Sequence, residues 1–84
     1  MVKFRFVILD DFDNVVKVLH ETKEYKDDHD KEWIDHHYYW LLKYADEYKL
    51  ADYDDLDTPS IEVQKFEDGE WKYYSNCTED YFNL

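Results

Sequence analysis

The residues with the right types and spacing for chemistry are few, and the histidines come first. His29, Glu32 and His36 stand at i, i+3 and i+7, so a helix in this segment brings them towards one face. Zinc accepts such ligands, but its structural sites use four donors, often thiolates, and the chain has one cysteine and no H-E-x-x-H pattern. The expectation is therefore no metal, with His29 and His36 in solvent and His37 packed. Asp11-Phe12-Asp13 and Asp52-Tyr53-Asp54 each begin like a calcium loop, yet neither has the required Gly at the sixth position or Glu at the twelfth. Both read as a turn or a solvated loop.

Covalent chemistry finds as little support. A single glycine provides no backbone cradle for a phosphate, and Cys77 comes without a loop that would form an oxyanion hole. Acid pairs can be drawn anywhere among 22 carboxylates, so pairing them carries no information. The reading is a protein that is not an enzyme and takes no cofactor.

What remains is charge. The chain of 84 residues sets 22 Asp and Glu against 10 Lys and Arg, a net of −12, while 20% of its residues are aromatic. That aromatic content argues against an acidic disordered tail. The cations are scattered singly and form no basic stripe, so direct nucleic-acid binding is not expected. Residues 27–57 hold eleven acids against three lysines, a net of −8, and the rest of the chain carries −4. No apolar run approaches the roughly 20 residues that cross a bilayer. The start of the chain lacks a long apolar region followed by a cleavage site, and the lone Cys77 forms no internal disulfide. These features lead us to expect a cytoplasmic chain with its own start and no membrane contact.

The elements that must position this charge follow from periodicity. Phe4, Phe6 and Ile8 alternate with Lys3, Arg5, Val7 and Leu9, which predicts a strand; Asp10 to Asn14 supplies a turn, and residues 15–25 return. Residues 31–53 contain no Gly or Pro. There Trp33, Ile34, His37, Trp40, Leu41, Tyr44, Ala45, Tyr48 and Ala51 fall on one helical face, over roughly 34 Å at about 1.5 Å per residue. Residues 60–75 form a second hairpin about Asp68-Gly69, and the tail 76–84 keeps Tyr81, Phe82 and Leu84 for docking. The prediction is one α+β domain over residues 1–84, β-β-α-β-β, with antiparallel hairpins packed on one long amphipathic helix.

Between Asp35 and Asp46 lies no acid, and these two groups stand about 16 Å apart along the predicted helix. Tyr39, Leu42, Leu50 and Tyr53 project away from the core stripe. An apolar outer patch bracketed by carboxylates has the make-up of an interface. A crowded small core, or a homodimer through the outer helix face, accounts for the same residues.

A net of −12 exceeds the magnitude of about 2–8 that keeps a small domain soluble. In size, charge and aromatic content the chain resembles the small acidic proteins of phages and mobile elements that imitate DNA, such as anti-restriction and anti-CRISPR inhibitors. That resemblance involves no shared motif. It implies a non-catalytic inhibitor that occupies the basic nucleic-acid-binding groove of a host defence protein, in the cytoplasm of a bacterial cell. Asp35, Asp46, Glu47, Asp54 and Asp55 are the expected phosphate surrogates, with Tyr39 and Leu42 as the apolar anchor. The alternative is an acidic adaptor or assembly subunit, homodimeric in one version, that binds a basic protein unrelated to nucleic acid.

Overall fold

In the computed structural model, residues 1–52 and 59–84 are described. The chain runs β1 (Lys3–Leu9), β2 (Val15–Glu21), α1 (Lys31–Glu47), a 3-10 turn (Leu50–Asp52), β3 (Ser60–Glu67), β4 (Glu70–Asn76) and α2 (Cys77–Phe82). The four strands form one antiparallel sheet in the order β2-β1-β3-β4. The buried strand residues lie in its two central strands, β1 and β3, and neither edge strand contains one. The predicted strand-strand-helix-strand-strand order and α+β class hold.

On the sheet face towards α1, Phe6 lies opposite Val63 and Ile8 opposite Ile61 in the β1–β3 register. Phe4, Phe6, Ile61 and Val63 are fully buried there, against Trp33, Leu41 and Tyr44 of α1. Val7 and Leu9 are also buried, although alternation puts them on the opposite face. The β1–β2 register shifts twice, between Phe6 and Val7 and between Ile8 and Leu9, and Val7 pairs with Val18 across it. Bulges of this kind bend the bulged strand and increase its local twist.

The β1–β2 turn is held by Asp10, whose Oδ1 accepts from the backbone N–H groups of Phe12 and Asn14, each at 2.9 Å. Those donors favour the charged form and hold the Asp10 carboxyl below its ordinary value. Beyond Glu21, Thr22 N–H donates to the Phe4 carbonyl, and Tyr25 bonds Val2 in an isolated bridge. The return strand is thus shorter than the predicted 15–25, with the bridge closing its far end.

Asp30 caps α1 by accepting from Glu32 N–H at 2.9 Å. The helix has 17 residues, not the roughly 23 expected from periodicity. It stops because Lys49 adopts a left-handed φ of 52°, and its N–H bonds the Asp46 carbonyl. No cation stands in the last turn, where Asp46 and Glu47 oppose the negative end of the helix dipole. Three expectations for this helix are corrected. Ile34 is 52% exposed rather than in the core, and Leu50 is 1% exposed rather than outward, because the reversal at Lys49 turns it inside. Ala51, expected inside, is exposed. α1 therefore packs only part of its predicted stripe on the sheet.

The tail forms α2, capped by the Asn76 side chain, with Glu79 and Asp80 favourably placed in its first turn. Thr78 Oγ1 donates to the Pro59 carbonyl at 2.6 Å and accepts from Ile61 N–H at 3.1 Å, tying the tail to the start of β3. Cys77 enters the core and Tyr81 packs against it, while Phe82 and Leu84 stay exposed. Among the described residues no helix is long and apolar enough to cross a membrane.

Candidate functional site

The outer face of α1 is built by subtraction: Trp33, Leu41, Tyr44 and Ala45 are buried, which turns the opposite side to solvent. At 100° per residue, Asp35, Tyr39, Leu42 and Asp46 fall within about 40° of one line along that side. Asp35 and Asp46 are exposed, as are Tyr39 (58%) and Leu42 (40%). The structure thus brings together four of the seven predicted site residues. Glu47 is exposed but lies about 100° round the helix from Asp46. Asp54 and Asp55 lie outside the described residues, as does Tyr53.

Two members of the patch were not foreseen as outward. Ile34 and Tyr38 (54% exposed) flank the line, so the centre of the face is apolar and aromatic. Ile34 sits at the rim of the wide helical stripe, where periodicity alone does not separate inside from outside.

Lysines pair with some of the carboxylates outside this face. Glu21 pairs with Lys3, Glu32 with Lys23, Glu67 with Lys65, and Asp68 and Glu70 with Lys72. Among the described residues, Asp35, Asp46 and Glu47 have no lysine or arginine within 4 Å. Among the described residues, unpaired carboxylates thus lie along the outer face of the helix and also elsewhere, as at Asp11, Asp13, Glu24, Glu62, Glu79 and Asp80. Such exposed charges act mainly on encounter with a partner and are screened by salt.

Behind this face, histidines join the helix to the sheet. His36 Nδ1 is hydrogen-bonded to the Tyr25 hydroxyl at 2.8 Å, His37 Nε2 to Ser75 Oγ at 3.3 Å, and His20 Nδ1 of β2 to the Tyr44 hydroxyl at 2.5 Å. Burial pushes His20 and His37 below their ordinary value and Tyr44 up to about 12. His29 stays exposed before the helix as expected, whereas His36, expected in solvent, is half-buried against Tyr25. Among the described residues no three His, Cys, Asp or Glu side chains gather as metal ligands would. The role of His20 escaped sequence reasoning, since its partner lies 24 residues away.

Cys77 is buried, and desolvation pushes its thiol up to about 12, so it remains protonated near neutral pH. On the sheet face away from α1, a groove of about 780 Å³ opens between Leu9, Ser60 and Glu62 of the strands and Glu79 and Phe82 of α2. Tyr73 lines it, its hydroxyl pushed up by desolvation and by the carboxylates of Glu79, Asp80 and Glu62. Compared with protein-family models, curated proteins and solved structures, the chain matches none.

Proposed function

We propose that this chain is a non-catalytic inhibitor that imitates nucleic acid, docking the outer face of α1 in the basic, nucleic-acid-binding groove of a bacterial host protein. The observation that supports this most is the line Asp35–Tyr39–Leu42–Asp46, with unneutralised carboxylates at both ends and an apolar anchor between. A groove lined with Lys and Arg to hold phosphates also attracts carboxylates in a similar array. The spacing of about 16 Å along the helix sets the two ends of that array. Asp54 and Asp55 are included among the proposed phosphate surrogates, although they lie outside the described residues. Binding blocks the groove without turnover, in the cytoplasm.

The test begins with a partner captured from bacterial lysate and then purified. Labelled duplex bound to that partner is titrated with this protein and followed by fluorescence anisotropy. Mimicry expects full displacement, weakened at least tenfold by the D35N/D46N variant. Simultaneous binding of duplex and protein overturns it.

One observation favours a second reading. A phosphate row has no counterpart to Ile34, Tyr38, Tyr39 and Leu42, whereas an interface core between proteins is apolar and aromatic. An acidic adaptor for a basic protein unrelated to nucleic acid uses the same face. It keeps its partner when duplex is added.

A further inference from the structure

We infer that the outer face of α1 is self-complementary and seats a second copy of this chain, the two helices antiparallel about a two-fold axis between Tyr38 and Tyr39. A net charge of −12 repels copies of the chain from one another, and local charge of both signs offsets that repulsion. The outer face of α1 provides this. Lys31 stands at its start, Asp46 at its end, and Asp35 and Lys43 between, and among the described residues none of the four is in an ion pair. Lys43 instead lies over its own Trp40 ring, 4.8 Å from the centroid.

In an antiparallel pair, residues whose numbers have a constant sum come level. With the axis between Tyr38 and Tyr39, Tyr38 of each copy is level with Tyr39 of the other. Lys31 is then level with Asp46, and Asp35 with Leu42, next to Lys43. Both cations of the helix thus meet acids, and each contact occurs twice, as a closed two-fold interface requires. The exposed side chains Tyr38, Tyr39 and Leu42 fall in the seam, with Ile34 about 100° round the helix from Asp35, at its rim. A parallel pair brings like charges level and is excluded by the same residues. The sheet edge at β2 is a weaker candidate for self-association, because its two register shifts twist the strand out of a regular ladder.

The inference requires only the exposed face and its charges, not nucleic-acid mimicry. If the chain proves monomeric, the reading under "Proposed function" still stands. If both hold, the dimer covers the face that binds the partner, so the two complexes exclude each other.

Sedimentation equilibrium of the full chain over a wide concentration range tests it. A reversible monomer–dimer equilibrium is expected. Asp46→Lys reduces the net charge from −12 to −10, so general repulsion alone would tighten any dimer. The level Lys31–Asp46 contacts instead expect dissociation to become roughly 5- to 10-fold easier. Combining Lys31→Asp with Asp46→Lys restores both the −12 and the pairing, and brings the constant back to within about threefold of the parent. Circular dichroism verifies that each variant folds. A monomer at every concentration overturns the inference, as does a dimer that Asp46→Lys tightens or that the double exchange fails to restore.

Discussion

The Trp33 indole of α1 lies parallel to the Phe4 ring of β1, with centroids 3.6 Å apart and planes 1° apart. His37, one turn further along the helix, stacks on the opposite side of the same indole at 4.9 Å and 6°. Phe4, Trp33 and His37 form a column of three rings across the helix–sheet boundary. Stacked and edge contacts of this kind add to the area each ring buries. The column fixes the rotation of α1 about its axis, and with it which residues face solvent.

Trp33→Ala removes the middle of the column and is expected to cost about 3–5 kcal/mol in folding. Its neighbour Ile34, half in solvent, is expected to cost less than about 1 kcal/mol when truncated to Ala. Urea unfolding of the two variants measures both. Equal losses would place the helix at a different rotation.

Acid should loosen the same boundary. Burial lowers the pKa of His20, with the Lys43 charge adding to it, and burial lowers that of His37, with Asp80 opposing. A histidine lowered on folding binds its proton more readily when unfolded. Its contribution is therefore complete above the ordinary value of 6.5 and is lost as pH falls through the folded values. The urea midpoint should stay level from about pH 8 to pH 7 and fall from about pH 6.5 downwards. His37→Gln should flatten that fall. The lowered Asp10 carboxyl adds a separate loss below its ordinary 3.8.

Leu42 and Leu50 should respond in opposite ways to truncation. Leu50 is buried by the chain reversal at Lys49, so Leu50→Ala should cost about 2–5 kcal/mol. Leu42→Ala should leave stability within about 0.5–1 kcal/mol and weaken partner binding instead. Calorimetry of both variants separates a packing residue from an interface residue.

The Cys77 thiol should resist modification in the folded protein. It is buried and protonated, so labelling with a thiol reagent at pH 8 should run at least a hundredfold slower than in urea. Labelling at the unfolded rate would mean that α2 does not hold its place.

At the β3–β4 turn, Asp68 and Gly69 both take positive φ, 54° and 80°. Nothing crowds the missing Cβ of Gly69, so any cost of Gly69→Ala comes from the left-handed backbone alone. It should be about 1–2 kcal/mol by thermal unfolding.

Several features were decided by the residue pattern alone, because the contacts that enforce them are local or strictly periodic. Phe4 and Phe6 had to share the buried face of β1, Asp68-Gly69 had to turn, and Trp33, Leu41 and Tyr44 had to lie inside the helix. The line Asp35–Tyr39–Leu42–Asp46 was equally legible, since it follows from 3.6 residues per turn once the inner face is known. Other features rest on partners distant in sequence, and only the tertiary structure decided them. Periodicity carried the helix past Glu47, but a dipole opposed by Asp46 and Glu47, together with the reversal at Lys49, ended it and buried Leu50. Thr78 made the tail a docked helix through a carbonyl 19 residues away, and His20 found its hydroxyl 24 residues on. No local pattern encodes such pairs, because they form only when the folded sheet and helices bring distant segments together.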